Sequence, residues 1–191
     1  MGPMELMTLD ALEAGLPEIC RAPSTGGSIE LIVRRPKVSE REVIEEAQLD
    51  PVMGLVGDCW LTRGSRLTPD GSAHPGMQLT LMSSRVAACV AGAQERWALA
   101  GDQFFVDLDL SEANLPAGTL LGLGSAVIEV TGEPHTGCQK FKERFGGDAL
   151  RFVNTKVGRE RRLRGMNTRV VGAGSVRRGD GVVVLPRSNP D

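Results

Sequence analysis

The chain has 191 residues, of which 41% are hydrophobic and 24% are charged, and its formal net charge is −2. This balance is typical of a folded globular protein and excludes a disordered tail. The 24 glycines and 11 prolines favour tight connections between short strands over an all-helical bundle. We therefore expect a single domain over residues 1–191 with a mainly β fold.

Targeting signals and metal-binding cysteine patterns are missing from the sequence. No apolar run approaches the roughly 20 residues of a membrane-spanning helix, and residues 1–16 lack a basic start followed by an apolar stretch. Cys20, Cys59, Cys89 and Cys138 form no Cys-x-x-Cys pair, so neither a disulfide framework nor a zinc site is indicated. We expect a cytoplasmic protein with reduced thiols and no membrane partner.

Charge is distributed unevenly along the chain. Residues 1–138 carry 9 basic and 19 acidic side chains, whereas residues 139–191 carry 13 basic and 5 acidic ones. A local basic field can concentrate an anionic ligand, although a merely solvated surface is the alternative. The spacing of Phe141, Phe145 and Phe152 suits a helix core better than a base-stacking platform, so no nucleic-acid partner is expected.

The first half of the chain predicts a strand, a helix and a long loop. Residues 28–35 are rich in β-branched and aliphatic side chains, which predicts a strand. Ser39 and Glu42 match a capping box and predict a helix that ends near residue 50. Residues 53–76 are dense in turn formers and predict an irregular loop of the kind that often carries function.

Strands dominate the predictions for the second half. Ser84 predicts the start of a helix across residues 85–93. The segment between the last two predicted strands, residues 172–180, is predicted to be a loop. The predicted strands cover residues 77–82, 104–110, 126–130, 168–171 and 181–185.

Residues 132–141 are the most informative segment, because they leave a predicted strand and enter a predicted helix. Thr136 and Gln139 match a second capping box, which places Cys138 at the second helical position. Unpaired backbone N–H groups and the helix dipole stabilise an anion there. Basic residues on the following turns add positive potential, and a glycine pair supplies a helix stop. These are Lys140, Lys142 and Arg144, then Gly146 and Gly147.

Cys138 is therefore the candidate chemically active residue, whereas the other three cysteines are expected to be small buried hydrophobic residues. His135 lies three residues earlier and is a second candidate, since an imidazole can donate to the sulfur or to a bound ligand. Its alternative role is a loop residue that hydrogen-bonds the backbone. A cysteine protease would also need a third, orienting group, which the sequence does not identify.

Two nearby segments form a specific pattern: Gly-Leu-Gly-Ser-Ala-Val-Ile-Glu-Val-Thr at 122–131 and His-Thr-Gly-Cys-Gln-Lys-Phe at 135–141. Together they resemble the signature of the MOSC domain family, the C-terminal domain of molybdenum cofactor sulfurases. Residues 107–118 resemble the stretch before the signature, and residues 164–180 resemble the closing strands. The resemblance is strongest over residues 100–185. It implies a mainly β fold, with a closed or nearly closed barrel of pyruvate-kinase-barrel-like type and a few covering helices.

The resemblance also implies a cofactor and a chemistry. Family members include molybdenum-dependent reductases of N-hydroxylated compounds and small stand-alone proteins, and this chain is similar to the latter. The family cysteine, matched by Cys138, is a molybdenum ligand or a carrier of sulfur. The resemblance thus implies a molybdenum cofactor (molybdopterin), held stably or in passing. It further implies an oxidoreductase or sulfur-transfer protein that acts on a small-molecule substrate.

Such a cofactor needs a soft sulfur donor, hydrogen bonds for the pterin and cations for the phosphate. Cys138 is the candidate sulfur donor. For each basic residue the alternative is a solvated surface charge. The candidate pterin partners are Asn167 and Gln78, and the candidate phosphate partners are Lys140, Arg164 and Arg169.

The sequence has no four-cysteine iron–sulfur spacing. Electrons or sulfur are therefore expected to come from a separate redox or sulfur-donor protein. Two alternatives stay open at this point. One is a non-catalytic pterin-cofactor carrier or binding module, and the other is a basic module for a polyanion.

Overall fold

The computed structural model describes residues 6–186. Its helices are α1 (Leu9–Ile19), α2 (Trp60–Arg63), α3 (Ser84–Ala91), α4 (Gln139–Asn154) and α5 (Lys156–Glu160), with 3-10 helices at Pro75–Met77 and Gln94–Ala100. Its strands are β1 (Gly26–Arg34), β2 (Glu42–Ile44), β3 (Glu46–Asp50), β4 (Gly54–Leu55), β5 (Leu79–Ser83), β6 (Phe104–Val106), β7 (Leu120–Leu123), β8 (Ala126–Val130), β9 (Met166–Gly172), β10 (Gly174–Arg177) and β11 (Gly181–Val184). None of these helices is long and apolar enough to cross a membrane.

Seven strands close into a barrel. Their order around it is β1, β11, β7, β8, β9, β5 and β6, and β6 pairs with β1 to complete the ring. The β5–β6 pair is parallel, and the other barrel pairs are antiparallel. Strand β2 pairs with the last residues of β1, and β10, β3 and β4 form a separate small sheet. The mainly β barrel with a few helices that the sequence predicts is confirmed.

The barrel wall separates two apolar cores. In β6, Phe104 and Val106 belong to the core inside the barrel, whereas Phe105 belongs to the core beneath the helices. Leu81 and Met82 of β5 divide in the same way, because successive side chains of a strand point to opposite faces. Helices α1, α3 and α4 and the 3-10 helix before β6 cover this outer face.

The helix predicted from Ser39 to about residue 50 is wrong, because this segment forms β2 and β3. Ser39 has a φ of 71°, whereas an N-cap residue typically lies in the β region. In β3, Ala47 and Leu49 are buried and the residues between and beside them are more exposed, which is the two-residue period of a strand. Pairing with β10 and burial in the barrel core outweigh the local helix signal. The loop predicted over residues 172–180 contains that partner strand.

Helix α4 starts later than the second capping box predicts. Cys138 itself is the N-cap residue, with φ −119° and ψ 177°, and its side chain makes no capping hydrogen bond. Gly146 interrupts the helix with φ 91°, as expected for a helix stop, but a further helical stretch continues to Asn154. Phe141 and Phe145 are buried in the outer core, as their spacing predicts.

Candidate functional site

A cavity of about 270 Å³ opens at one rim of the barrel. Its walls come from the segment after β1, from α2, from the residues before β6 and from the loop between β8 and α4. Trp60 and Phe141 supply large apolar surfaces. The volume lies just below the roughly 300–1,000 Å³ that is usual for small-molecule sites.

Cys138 lines this cavity and is exposed. The preceding residue, Gly137, packs so closely against α4 that a Cβ atom would lie 2.7 Å from Leu150 Cδ1 and 2.9 Å from Val153 Cγ2. Any larger residue at this position would force these side chains of α4 to shift. The Asn154 side chain also hydrogen-bonds the backbone of Gly137. Close packing and these hydrogen bonds therefore fix the loop that presents the thiol.

A buried carboxylate joins two other predicted site residues. Asp102 is 0% exposed, and its Oδ2 accepts a hydrogen bond from Arg164 Nη1 at 2.6 Å. Its Oδ1 lies 2.9 Å from Nε2 of His135. Arg164 is itself buried, with its guanidinium carbon 5.0 Å from the centre of the Phe141 ring. Asp102, which was not among the predicted residues, thus connects His135 and Arg164.

The surroundings set the charge states of this group. Burial by itself raises the pKa of Asp102, but the charge of Arg164 and the hydrogen bond to His135 outweigh it and hold that pKa well below the usual range. Burial lowers the pKa of His135, the charge of Arg164 lowers it further, and the contact with Asp102 opposes both. At neutral pH, the site therefore contains an ionised carboxylate, a guanidinium and a neutral imidazole.

Three consecutive backbone carbonyl groups, those of residues 99–101, each accept a hydrogen bond from a different arginine. Arg144 Nη1 donates to the first at 2.6 Å, Arg164 Nη2 to the second at 2.9 Å and Arg35 Nη1 to the third at 3.1 Å. Gly101 has a φ of 93°, a left-handed conformation that favours glycine. This turn brings three guanidinium groups to the same wall of the cavity.

Basic side chains outnumber acidic ones in the cavity lining. Seven lysines and arginines line it, against one glutamate. Among residues 6–186, four of these basic side chains have no carboxylate within 4.0 Å: Arg41, Arg63, Lys140 and Arg144. Burial lowers the pKa of Arg41, and the charges of Arg144 and Arg35 lower it further. The cavity therefore carries uncompensated positive charge, which favours an anionic ligand.

The structure brings most predicted site residues together. Cys138, His135, Lys140, Arg164 and Asn167 all line the cavity. Asn167 is 1% exposed, its Nδ2 donates to two carbonyl groups of the 131–138 loop, and its Oδ1 is buried without a hydrogen-bond partner in the described structure.

Gln78 and Arg169 lie apart from this cavity, along a separate groove. Gln78 is buried, where it donates to the Pro51 carbonyl oxygen and accepts from the Val170 N–H. Arg169 is half exposed and pairs with Glu129 at 2.8 Å. Neither side chain lines the cavity that contains Cys138.

The other cysteines differ in exposure. Cys59 is buried and lines the cavity, and Cys89 is half-buried. Cys20 is exposed at the end of α1, so its expected burial is wrong. No group of three or more His, Cys, Asp or Glu side chains within the described residues could hold a metal ion.

Sequence reasoning missed Asp102, Arg41 and Arg144 as site residues. Asp102 follows Gly101 at the end of a 3-10 helix, and no local pattern connects it to His135, 33 residues later. Arg41 lies in the segment that was predicted to be helical. Arg144 was noted only as a cation near Cys138, although its spacing from Lys140 indicates one helix face.

Comparisons with known proteins give a structural likeness. No protein-family model matches the chain, and no curated protein matches it in sequence. The YUAD protein of Bacillus subtilis superposes with a TM-score of 0.64 at 16% identity, over 83% of this chain and 95% of that one. YiiM of Escherichia coli gives a TM-score of 0.54 at 18% identity, over 85% and 72% of the two chains. YiiM of Geobacillus stearothermophilus gives 0.50 at 14% identity, over 84% and 74%.

At these identities the likenesses concern the fold alone. They agree with the barrel architecture implied by residues 122–141, which form β8, the following loop and the start of α4. The chain therefore has a MOSC-like fold, with an exposed cysteine in a basic cavity at one rim of its barrel.

Proposed function

We propose that this chain binds a molybdenum cofactor in the cavity at Cys138, and that it acts in the reduction of N-hydroxylated compounds or in sulfur transfer through that thiol. The observation that carries the proposal is the exposed Cys138 side chain in a cavity where four of the seven basic lining residues have no carboxylate partner within residues 6–186. A thiolate is a soft metal ligand, and guanidinium groups suit phosphate. These two chemistries occur together in a molybdenum pterin cofactor.

The residues present fit the parts of this cofactor. Cys138 would hold the metal, while Arg41, Arg144 and Lys140 would bind the phosphate. Asn167 would accept a hydrogen bond from the pterin, since its buried Oδ1 has no partner in the described structure. When bound, the cofactor supplies the redox chemistry. The chain's own residues orient it, neutralise its charge and shield it from water.

Arg164 lines the same cavity and is held by its own contacts. Its two Nη atoms donate to Asp102 and to the Ala100 carbonyl oxygen, so the side chain is already held in place under Phe141. Its charge is balanced by the ionised Asp102, so its role is to hold the cavity wall at Phe141. Electrons or sulfur would come from a separate protein, and the substrate would be a small molecule that enters from solvent.

The test is molybdenum and pterin analysis of protein purified from a molybdenum-replete host. We expect wild-type protein to contain both, and Cys138→Ser to lose molybdenum while its melting temperature stays nearly unchanged, because the side chain is exposed. Cys20→Ser is the matched control, since this exposed thiol lies outside the cavity. Full molybdenum content in Cys138→Ser, or none in the wild type, would overturn the proposal.

Activity assays then distinguish reduction, sulfur transfer and a carrier role. Loaded protein is assayed with hydroxyurea as the N-hydroxylated test compound and reduced methyl viologen as the electron donor, and sulfur transfer is assayed by persulfide labelling of Cys138. Cofactor that is retained without either activity would instead assign a carrier role.

A further inference from the structure

We propose that Asp102 is a positioning residue, which holds His135 as the Nε2–H tautomer and leaves Nδ1 as a hydrogen-bond acceptor for an N–H or O–H group of the ligand in the cavity. The tautomer of His135 follows from the hydrogen bonds within the protein, whereas the role of Nδ1 toward a ligand rests on the proposed function.

The hydrogen bonds of Asp102 determine the tautomer. An ionised carboxylate only accepts hydrogen bonds. Oδ2 of Asp102 accepts from Arg164 at 2.6 Å, and Oδ1 lies 2.9 Å from Nε2 of His135. Nε2 must therefore carry the proton, and in a neutral imidazole the other nitrogen, Nδ1, is then an acceptor.

The position of the ring determines where that acceptor lies. His135 stands between the cavity at Cys138 and a second cavity of about 200 Å³. The Cδ2 edge of the ring lies beside Gly165, since a Cβ atom added to Gly165 would be 3.3 Å from His135 Cδ2. Gly165 lines the second cavity and does not line the cavity at Cys138. Nδ1 is on the opposite edge of the ring, and no described residue hydrogen-bonds it.

Burial makes this arrangement rigid. Asp102 is 0% exposed and Arg164 is 6% exposed, so water does not compete freely for the carboxylate oxygens. Arg164 also donates to the Ala100 carbonyl oxygen, two residues before Asp102, which fixes the geometry of the pair. The His135 ring cannot change its tautomer without leaving either Nε2 or the carboxylate unsatisfied.

The first experiment measures the tautomer directly. The chain has two histidines, so a long-range ¹H–¹⁵N spectrum of the full protein at pH 7.5, with His74→Gln for assignment, reports both ring nitrogens of His135. We expect a protonated Nε2 and an unprotonated Nδ1 in the wild type. Asp102→Asn has one acceptor oxygen for two donors, so it should shift the His135 signals or mix the tautomers.

Asp107→Asn is the control for this spectrum. Asp107 is also a carboxylate held by an arginine, since it pairs with Arg85 at 2.6 Å, and neither side chain hydrogen-bonds His135 or lines the cavity at Cys138. We expect the His135 signals to stay as in the wild type. An Nδ1–H or mixed tautomer in the wild type overturns the proposal. The wild-type spectrum decides this even where Asp102→Asn fails to fold.

The second experiment tests Nδ1 in turnover. An asparagine side chain reaches the position of Nδ1, whereas a glutamine side chain reaches that of Nε2. With cofactor-loaded protein, hydroxyurea and reduced methyl viologen, His135→Gln should lower kcat/KM about tenfold or more, and His135→Asn should restore part of the loss. Equal loss in both variants, or better activity with glutamine, contradicts the role of Nδ1. Absence of wild-type turnover would count against the proposed function and not against the tautomer.

Discussion

Asn154 holds Gly137 by both backbone polar groups. Its Oδ1 accepts from the Gly137 N–H at 2.9 Å, and its Nδ2 donates to the Gly137 carbonyl oxygen at 3.1 Å. Asn154 is the last residue of α4, whereas Cys138 is the N-cap of the same element. The kink at Gly146 separates the two helical stretches of α4. The Asn154 side chain at the C-terminal end of α4 therefore holds Gly137, the residue just before its N-cap.

Replacing Asn154 should therefore disturb both stability and the thiol. Asn154→Ala leaves two partly buried backbone groups without partners, and we expect a loss of about 1–3 kcal/mol in the free energy of unfolding. The alkylation rate of Cys138 should also change. Asn114→Ala is a matched control, because Asn114 hydrogen-bonds two carbonyl groups in a different loop. A Cys138 rate that changes equally in both variants would deny Asn154 its specific role.

The exposures of Cys138, Cys20 and Cys89 predict an order of alkylation. Cys138 should react first and Cys20 second, because both are exposed and Cys138 has Lys140 and Arg144 close by in the cavity lining. Cys89 should react slowly, because burial raises the pKa of its thiol. Iodoacetamide labelling of native protein with peptide mapping measures the order. Faster labelling of Cys20 or Cys89 than of Cys138 would contradict it.

The basic side chains of the cavity that have no carboxylate partner within residues 6–186 predict anion binding. Arg41→Gln with Arg144→Gln should weaken binding of inorganic phosphate about tenfold or more, since each lost charged hydrogen bond is worth about 1.5–3 kcal/mol. The double variant relieves the repulsion between Arg41 and Arg144 but also loses the hydrogen bond from Arg144 to the Leu99 carbonyl oxygen, so its melting temperature without phosphate is measured as the baseline. Thermal unfolding at increasing phosphate concentration then measures the phosphate effect.

Arg169→Gln is the control for this pair, as Arg169 lies outside the cavity and pairs with Glu129. It should leave the phosphate effect unchanged. Equal phosphate stabilisation in the wild type and the Arg41/Arg144 double variant would assign these two arginines to the solvated surface.

The lowered pKa of His135 predicts how stability depends on pH. The unfolded chain has an ordinary imidazole with a pKa of about 6.5 and so binds a proton that the folded protein takes up only at lower pH. The free energy of unfolding should therefore fall as the pH drops below about 6.5. Urea unfolding at pH 7.5, 6.5 and 5.5 should show a steeper decline for the wild type than for His135→Gln. Parallel declines would mean that His135 does not contribute.

Local sequence was sufficient for the parts of the protein that contain their own signal. The strands at β1 and β8 were predicted because β-branched and aliphatic residues cluster there. The cysteine segment was predictable because Gly137, Cys138 and the basic residues after them are neighbours in the chain. The barrel itself was expected from the resemblance of residues 122–141 to a known signature, rather than from periodicity.

Tertiary structure decided whatever depends on contacts between distant residues. Ser39 and Glu42 look like a helix start, but pairing of β3 with β10 converts the following segment into strands. Tertiary packing also places Gln78 and Arg169 along a separate groove and brings Arg41 and Arg144 to the cavity, while Asp102 is buried against His135 and Arg164. A single buried carboxylate acquires its role from partners 33 and 62 residues away. Such pairing is stabilised only once the barrel has closed and excluded water, so no local pattern in the sequence encodes it.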